Sequence, residues 1–266
     1  EEKSKKLALG LNVKGLLNIQ FAIKDEELFI LEANPRASRT MPFVAKVTGN
    51  QIIKAGTLLM LGYSIDEVRN KTKYLSSSSN KVAIKKAIFP WSRFPAEDTM
   101  LGPEMKATGE VLGVGKEFGT ALNKAYAAAG VEINNKEKGI FVTLSDSEKP
   151  NFIKTVNKYL ELGFTLYSTE GTGKFLKTNG IDSVIVGKAD DLGQTSLTII
   201  EDKLVSLVIN TPTYANELSD GWKIRRLSHE TGVAVVSSVR EADAFIEAFL
   251  NQNLVLDDLE VIQDVS

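Results

Sequence analysis

The chain has no cysteine and a single histidine, His229, among its 266 residues. Without thiols there is no disulfide, no thiolate nucleophile and no cysteine-ligated zinc, and a reducing cytoplasmic location is the simplest expectation. One imidazole leaves His-based metal centres and Ser-His triads without their parts, so His229 is given no role. Long hydrophobic runs are missing too. Nothing approaches the ~20 apolar residues that span a bilayer. The opening Glu1-Glu2-Lys3-Ser4-Lys5-Lys6 leads into no signal-peptide core and reads as mid-helix, as in a segment of a longer chain. No membrane partner is expected. Charge of one sign is not in excess either, with 32 Lys and Arg against 34 Asp and Glu. A dense basic stripe with interleaved aromatics is absent, which argues against nucleic acid as a partner.

What is present is an ordinary globular composition, 43% hydrophobic and 25% charged. The length suits two domains at the usual ~150 residues each. The charge divides unevenly. Residues 1–130 carry 19 basic against 13 acidic side chains, and residues 131–266 carry 13 against 21. That asymmetry supports two units, 1–130 and 131–266, with the boundary in the polar stretch 130–138.

Residues 15–34 alternate as a β-hairpin should. Ile19, Phe21 and Ile23, then Phe29, Leu31 and Ala33, share the odd positions and predict one core face. Pairing symmetric about Glu26 sets Gln20 opposite Glu32, with Asn34 two residues along on the same face. Residues 41–70 read as helices punctuated by Gly49, Gly56 and Gly62, with a helix start at Ser64. A strand is predicted over 82–89 and a helix over 118–129, ended by Gly130. From Gly139 strands and helices alternate. Strands are expected near 139–144, 164–168, 183–187, 204–210 and 233–237, and helices near 148–162, 172–179, 192–200, 222–231 and 239–250. Five short apolar strands separated by helices define an α/β fold, a parallel sheet covered by helices on both faces. Ligands of such folds bind at the carboxyl ends of the strands. Trp91 and Trp222 read as packing residues near turns, Arg225-Arg226 as a solvated face, and the last residues, 251–266, as an acidic surface extension. Ser76–Ser79 is a loop.

Two groups of residues carry chemistry. Gln20, Glu32 and Asn34 offer a carboxylate and two amide oxygens to one patch, with Arg36 and Arg39 just beyond. Such oxygens suit Mg²⁺, and arginines beside the metal suit phosphate. The same spacing also serves a turn fixed by Pro35, in which Glu32 and Asn34 only hydrogen-bond the backbone. The second group centres on Leu166-YSTEGTG-Gly173, a glycine-bearing strand-to-helix turn where backbone N–H groups could meet an anion. Lys149, Lys188, Asn210 and Thr211 lie at other strand ends and could converge on the same anion.

Asn18-IQF, Leu31-EANPRASRTMPFVAKVTG-Gly49 and Leu101-GPEMKATGEVLGVG-Gly115 resemble the C-terminal half of carbamoyl-phosphate synthetase large subunits. The likeness runs from Lys5 to Gly130 and continues more loosely beyond. It implies that residues 1–130 are an α+β remnant of an ATP-grasp domain that phosphorylates carbamate with ATP. Gln20, Glu32 and Asn34 would be the ligands of Mg²⁺ or Mn²⁺ on the ATP phosphates, and Arg36 and Arg39 the arginines of the phosphoryl-transfer centre. A glutaminase small subunit would supply ammonia, and products would feed pyrimidine and arginine biosynthesis. By itself the chain is expected to make no carbamoyl phosphate. The resemblance further implies that residues 131–266 are a methylglyoxal-synthase-like allosteric domain. Thr143, Lys149, Thr169, Thr172, Lys188 and Asn210 match its effector contacts. Pro212 departs from the pattern where a threonine is usual. Lys86 and Val235 stand where ornithine-responsive members carry acidic and aromatic residues. UMP is therefore favoured as the effector, phosphoribosyl pyrophosphate is a second candidate, and a homo-oligomer fits the family. The alternatives are a phosphotriose-handling enzyme like methylglyoxal synthase itself, for which Ser145, Asp146 and Glu170 are the available groups, and a plain interaction module.

Overall fold

The computed structural model describes residues 1–73, 81–91, 99–100, 105–107, 109–131, 133, 139–211 and 219–251. Two compact units divide the chain, one from residues 1–80 and one from residues 81–256.

The first unit runs α1 (Glu2–Gly10), β1 (Asn18–Lys24), β2 (Glu27–Asn34), α2 (Thr40–Thr48), α3 (Ile52–Met60) and α4 (Ile65–Lys71). Its hairpin closes on Asp25 and Glu26, both at positive φ (50° and 64°), the twist that two-residue hairpin loops require. Gln20 pairs with Glu32 and Asn18 with Asn34, the register expected from the sequence, but it slips by one residue after Gln20, so Phe21 faces Ile30. The predicted core face does not form. Ile23 is 75% exposed and Leu31 64%. The bulge breaks the alternation on which that face depends. In addition, these two strands form a sheet of their own among the described residues, and two strands bury little. Helix α4 starts on a capping box in which the Glu67 backbone N–H donates to Ser64 Oγ (3.3 Å) and the Ser64 N–H to Glu67 Oε2 (2.8 Å). Gly49 and Gly62 take positive φ at helix ends. Gly56, expected to break the helix, instead lies inside α3, where an added Cβ would collide with Leu16.

The second unit opens with the antiparallel pair β3 (Val82–Ile88) and β4 (Gly109–Gly115), then α5 (Phe118–Ala128). It continues with β5 (Gly139–Thr143), α6 (Lys149–Glu161), β6 (Leu166–Ser168), α7 (Glu170–Thr178), β7 (Val184–Ile185) and α8 (Thr198–Glu201). It ends with β8 (Val205–Asn210), α9 (Asp220–Thr231), β9 (Ala234–Val236) and α10 (Val239–Leu250). The five strands β5 to β9 fall where the sequence placed them and form one parallel sheet of order β7-β6-β5-β8-β9. Period-2 alternation sorts the central strand. Ile140 and Val142 point into a core with Phe152, Val156 and Tyr159 of α6, Leu176 of α7 and Phe245 and Phe249 of α10. Phe141 points the other way, with Val208, Ile199 and Ile200 of α8 and Ile224 of α9. Both faces are therefore covered, and all three β5 residues are fully buried.

Helix α5 packs with this unit. Asn123 Nδ2 donates to the Asn251 carbonyl at 3.1 Å, and the Tyr126 ring meets Phe245 edge-on at 4.5 Å. Division by packing thus falls before Lys81, whereas the division read from the sequence follows the change of pattern at 130–138, most of which lies outside the described residues. Also outside them are the Leu75–Asn80 loop, Leu101–Glu104, Pro212 and Thr213, and the tail carboxylates Asp257, Asp258 and Glu260.

Two further expectations fail. The helix read over 192–200 is confined to Thr198–Glu201. Residues before it form a loop held by the Lys188 N–H to Asp191 Oδ2 (2.7 Å) and by reciprocal Thr195–Thr198 hydrogen bonds. Arg225 and Arg226 are not a solvated face, since they are 3% and 7% exposed. Arg226 Nη1 donates to the Trp91 carbonyl (3.0 Å), while its Nε meets Glu230 (2.8 Å). Trp91 itself is buried and stacked on Phe89 at 5.1 Å. Truncating Arg226 strips a buried carbonyl of its donor, a loss of about 2–3 kcal/mol for a charged hydrogen bond. Urea denaturation of Arg226→Ala should show a lower midpoint by that amount, and an unchanged midpoint would mean that Arg226 is not structural.

Candidate functional site

On the hairpin the chemistry-bearing side chains share one end. Cross-strand pairing sets the Gln20 amide beside the Glu32 carboxylate, and the i, i+2 step adds Asn34 on the same face. Gln20 and Glu32 are exposed and Asn34 half-buried. Asn18, opposite Asn34, donates to Ser38 Oγ at 3.3 Å. Beyond β2, the Arg36 guanidinium donates to the adjacent Ala37 carbonyl (3.1 Å), and Arg39 sits at the N-cap of α2. One carboxylate and two amides make an all-oxygen donor set that fits Mg²⁺ or Mn²⁺ only if phosphate oxygens and water complete the shell. The set contains too few acidic groups to hold a metal alone. No cluster of three or more His, Cys, Asp or Glu suited to a metal occurs among the described residues.

The second site follows from the parallel sheet. Register brings the ends of adjacent strands level, with Thr143 of β5 beside Asn210 of β8 and Val142 beside Ser168 of β6. A cavity of about 550 Å³ opens at these carboxyl ends, within the usual range for small-ligand sites. Thr143, Thr169, Gly171, Lys174 and Lys188 are among the residues that line it. Thr169 is the N-cap of α7 but accepts no capping hydrogen bond from the helix backbone, its hydroxyl reaching Thr172 Oγ1 (3.3 Å) and Thr143 Oγ1 (3.5 Å) instead. The first-turn N–H groups of α7 lack intrahelical acceptors and carry the positive end of the helix dipole. A side chain added at Gly171 would meet nothing within 4 Å, so the backbone there stands open.

The residues predicted from the sequence divide into two layers. Thr143, Thr169 and Lys188 line the cavity. Thr172 and Asn210 lie under it, 2% and 3% exposed. Thr172 Oγ1 accepts from the Leu144 N–H (3.1 Å) and from Thr169 Oγ1 (3.3 Å), which fixes the β5 end against α7. Asn210 Oδ1 accepts from Arg225 Nη1 at 2.8 Å. Lys149 is turned to Asp146 (2.6 Å) and does not line the cavity.

Sequence reasoning missed Asp191, Ser196, Asp220 and Gly221, all of which line the cavity. Ser196 stood inside a span read as helix, Asp191 just ahead of it, and Asp220 at the head of a helix read two residues short. Glu170 also lines the cavity, but it pairs with Lys174 (2.6 Å), which holds its carboxyl below the usual range. The wall between β7 and α9 is tied by Lys223 and Asp190, 2.7 Å apart.

A parallel α/β domain with a small-ligand cavity at its strand ends, accompanied by an oxygen-rich hairpin, is the class the geometry defines. Comparison with known proteins narrows it. Residues 1–68 match the carbamoyl-phosphate synthase L chain ATP-binding domain, and residues 151–237 match the MGS-like domain. The chain is 38% identical over 262 residues to the "Carbamoyl phosphate synthase large chain, C-terminal section" of Aquifex aeolicus, covering 93% of this chain and 48% of that one. The protein of the same name from Methanocaldococcus jannaschii is 39% identical over 251 residues, covering 91% and 40%. The carbamoyl phosphate synthase large chain of Archaeoglobus fulgidus is 39% identical over 267 residues, covering 99% and 24%. The chain belongs to the carbamoyl phosphate synthase large-chain family, as a C-terminal section, and spans less than half the length of these relatives. Among the described residues no helix is long and apolar enough to cross a membrane.

Thr172→Val keeps the shape and deletes the hydroxyl. It leaves the buried Leu144 N–H without an acceptor, at about 1–3 kcal/mol. Chemical denaturation should register that loss, and Thr172→Ser should restore most of it. A Thr172→Val protein as stable as the parent would remove Thr172 from the floor of the site.

Proposed function

We propose that the chain is the regulatory and metal-bearing end of a glutamine-hydrolysing carbamoyl-phosphate synthase large subunit. Carbamate would be phosphorylated by ATP in the domain to which residues 1–68 belong. A nucleotide bound at the strand ends of the second unit would regulate that step. The observation that carries the regulatory half is the cavity at those ends, with Thr143, Thr169, Lys188 and the first turn of α7 on its wall. These groups donate hydrogen bonds and positive potential to one place, which is what a phosphate monoester needs.

On the hairpin, Gln20, Glu32 and Asn34 would hold Mg²⁺ or Mn²⁺, and Arg36 and Arg39 would meet phosphate oxygens. A bound ion supplies charge neutralisation on the ATP phosphates. The protein's own part is to fix the three oxygens by register. A glutaminase subunit is the partner that would deliver ammonia. Cytoplasmic location, association with further copies of the chain, and service to pyrimidine and arginine biosynthesis accompany this reading.

UMP is the favoured effector and phosphoribosyl pyrophosphate the second. Ornithine is disfavoured by Lys86. Its ammonium lies over the Tyr126 ring, 4.0 Å from the centroid, with the Tyr126 hydroxyl on Glu241 (2.9 Å). Burial lowers the Lys86 pKa and the Glu241 carboxylate opposes that shift. A resident cation beside this carboxylate repels a cationic ligand. The enzymatic alternative, phosphotriose chemistry, needs an unencumbered carboxylate base. Glu170 is paired with Lys174, and Asp191 accepts the Lys188 N–H, so neither is free for that work.

Coupling between effector and catalytic site in such systems amounts to about 1–3 kcal/mol and is reciprocal. Binding is the first requirement. Calorimetric titration should give saturable UMP binding, weakened about tenfold or more in Lys188→Ala, as expected for a charged hydrogen bond to phosphate. Inorganic phosphate should compete weakly. A folded chain that binds no UMP would contradict the regulatory half of the reading.

A further inference from the structure

The cavity is lined in part by a loop and in part by a helix, and one ion pair joins the two. Lys188 and Asp191 of the loop line it, as do Asp220 and Gly221 at the head of α9. Asp190, beside Asp191, accepts from Lys223 Nζ with both carboxylate oxygens, at 2.8 and 2.7 Å. The loop, residues 188–194, is pinned at its base. Gly187 donates to the Gln194 carbonyl and accepts from the Ser196 N–H, each at 3.0 Å, and it bridges Thr195 in parallel register. Asp191 folds back over Gly187, where an added Cβ would meet it at 3.1 Å, and its Oδ2 takes the Lys188 N–H. The tip is held less. Leu192 is wholly exposed, and Gly193 stands next to it at φ 95°. An apolar tip that packs on nothing gives the loop no core anchor of its own, and such segments open most easily. The Asp190–Lys223 pair ties it to α9.

We propose that loop 188–194 is a strap that gates the cavity, with the Asp190–Lys223 ion pair as its latch. The inference rests on the nucleotide reading given above for what passes the gate. When the pair breaks, the strap can leave α9 without disturbing the sheet, because the hydrogen bonds at its base are separate from the latch. The strength of the pair suits that use. Asp190 is 79% exposed and Lys223 31%, and pairs so exposed shift an equilibrium by a factor of about five at most. This one therefore opens at little cost and closes again. Loop gating sets how fast a ligand enters and leaves rather than how tightly it is held. If the strap must open for entry and for exit alike, weakening the latch speeds both and leaves Kd nearly unchanged.

The test uses the full chain with UMP, taking Kd from calorimetry and the dissociation rate from amide line shapes during titration. Asp190→Asn and Lys223→Gln remove charges of opposite sign. Plain electrostatic steering of an anion would speed association in Asp190→Asn and slow it in Lys223→Gln. A latch instead speeds association and dissociation in both variants, by about two- to fivefold, with Kd within about twofold. The exchanged pair, Asp190→Lys with Lys223→Asp, should bring both rates back toward the parent. Opposite changes in the two single variants, or unchanged rates, would overturn the gate. Hydrogen exchange of the unliganded chain needs no UMP. The Lys188 and Asp191 amides should exchange about two- to fivefold faster in each single variant, while Gly187 and Ser196 keep the parent rate. Unchanged exchange at Lys188 and Asp191 would overturn the latch. A folded parent that binds no UMP would overturn the nucleotide reading, and the exchange comparison then decides the latch by itself.

Discussion

The second unit depends on strand β5 being sandwiched from both sides. Ile140, Phe141 and Val142 have no exposed surface, and successive side chains enter different cores. A strand in that position cannot slide, because a one-residue slip would exchange the two faces. Its neighbours β6 and β8 are bonded to it in parallel register, so their carboxyl ends stop level with Thr143. The cavity is a consequence. Where the strands end and the helices begin, donors with no partner inside the fold are left pointing at one volume. The chemistry of the site is thus inherited from the packing of the apolar residues behind it.

Below the cavity lies a layer of buried polar contacts that hold the strand ends in register with the helices. Thr172 joins the β5 end to α7, Thr211 accepts from the Ser145 N–H at 2.7 Å, and Arg225 holds Asn210. Each is a hydrogen bond made out of water, where breaking one partner leaves the other unsatisfied. Residues that line the cavity are mostly aliphatic, hydroxyl or lysine, while Asp191 and Asp220 stand on its wall as well. A ligand that brings only negative charge would meet those carboxylates unfavourably. One that also presents hydroxyls can donate to them, which agrees with a phosphorylated sugar rather than a bare anion. The hairpin unit is built differently. Its donor set is held by register alone, with exposed apolar neighbours such as Ile23 and Leu31 instead of a core.

Much of this was legible in the residues. The five strands of the sheet could be placed because short apolar runs between polar helices allow few other arrangements. The pairing of Gln20 with Glu32 is expected from symmetry about Glu26; the turn closes one half-step earlier, on Asp25 and Glu26, and the bulge after Gln20 restores that pairing. What followed could not: the slip after Gln20 depends on a local bulge that alternation does not encode, and it spoiled the predicted core face. Arg225 and Arg226 look like surface charge on a helical wheel and are buried, because Asn210 and the Trp91 carbonyl arrive from distant parts of the chain. Helical spacing over 192–200 is real in the sequence, yet the Thr195–Thr198 contacts and Asp191 select a loop for its first part. Ser196 and Asp220 carry no local signal; only the fold brings them to the cavity.

The central claim is that a nucleotide binds at the strand ends of the parallel sheet, and the most direct measurement is where UMP perturbs backbone amide resonances. The account predicts shifts concentrated at Leu144, Thr169 to Thr172, Gly187 to Lys188 and the first turn of α9, with residues 18–34 of the hairpin unmoved. Shifts centred on the hairpin, or spread without a focus at those strand ends, would contradict it.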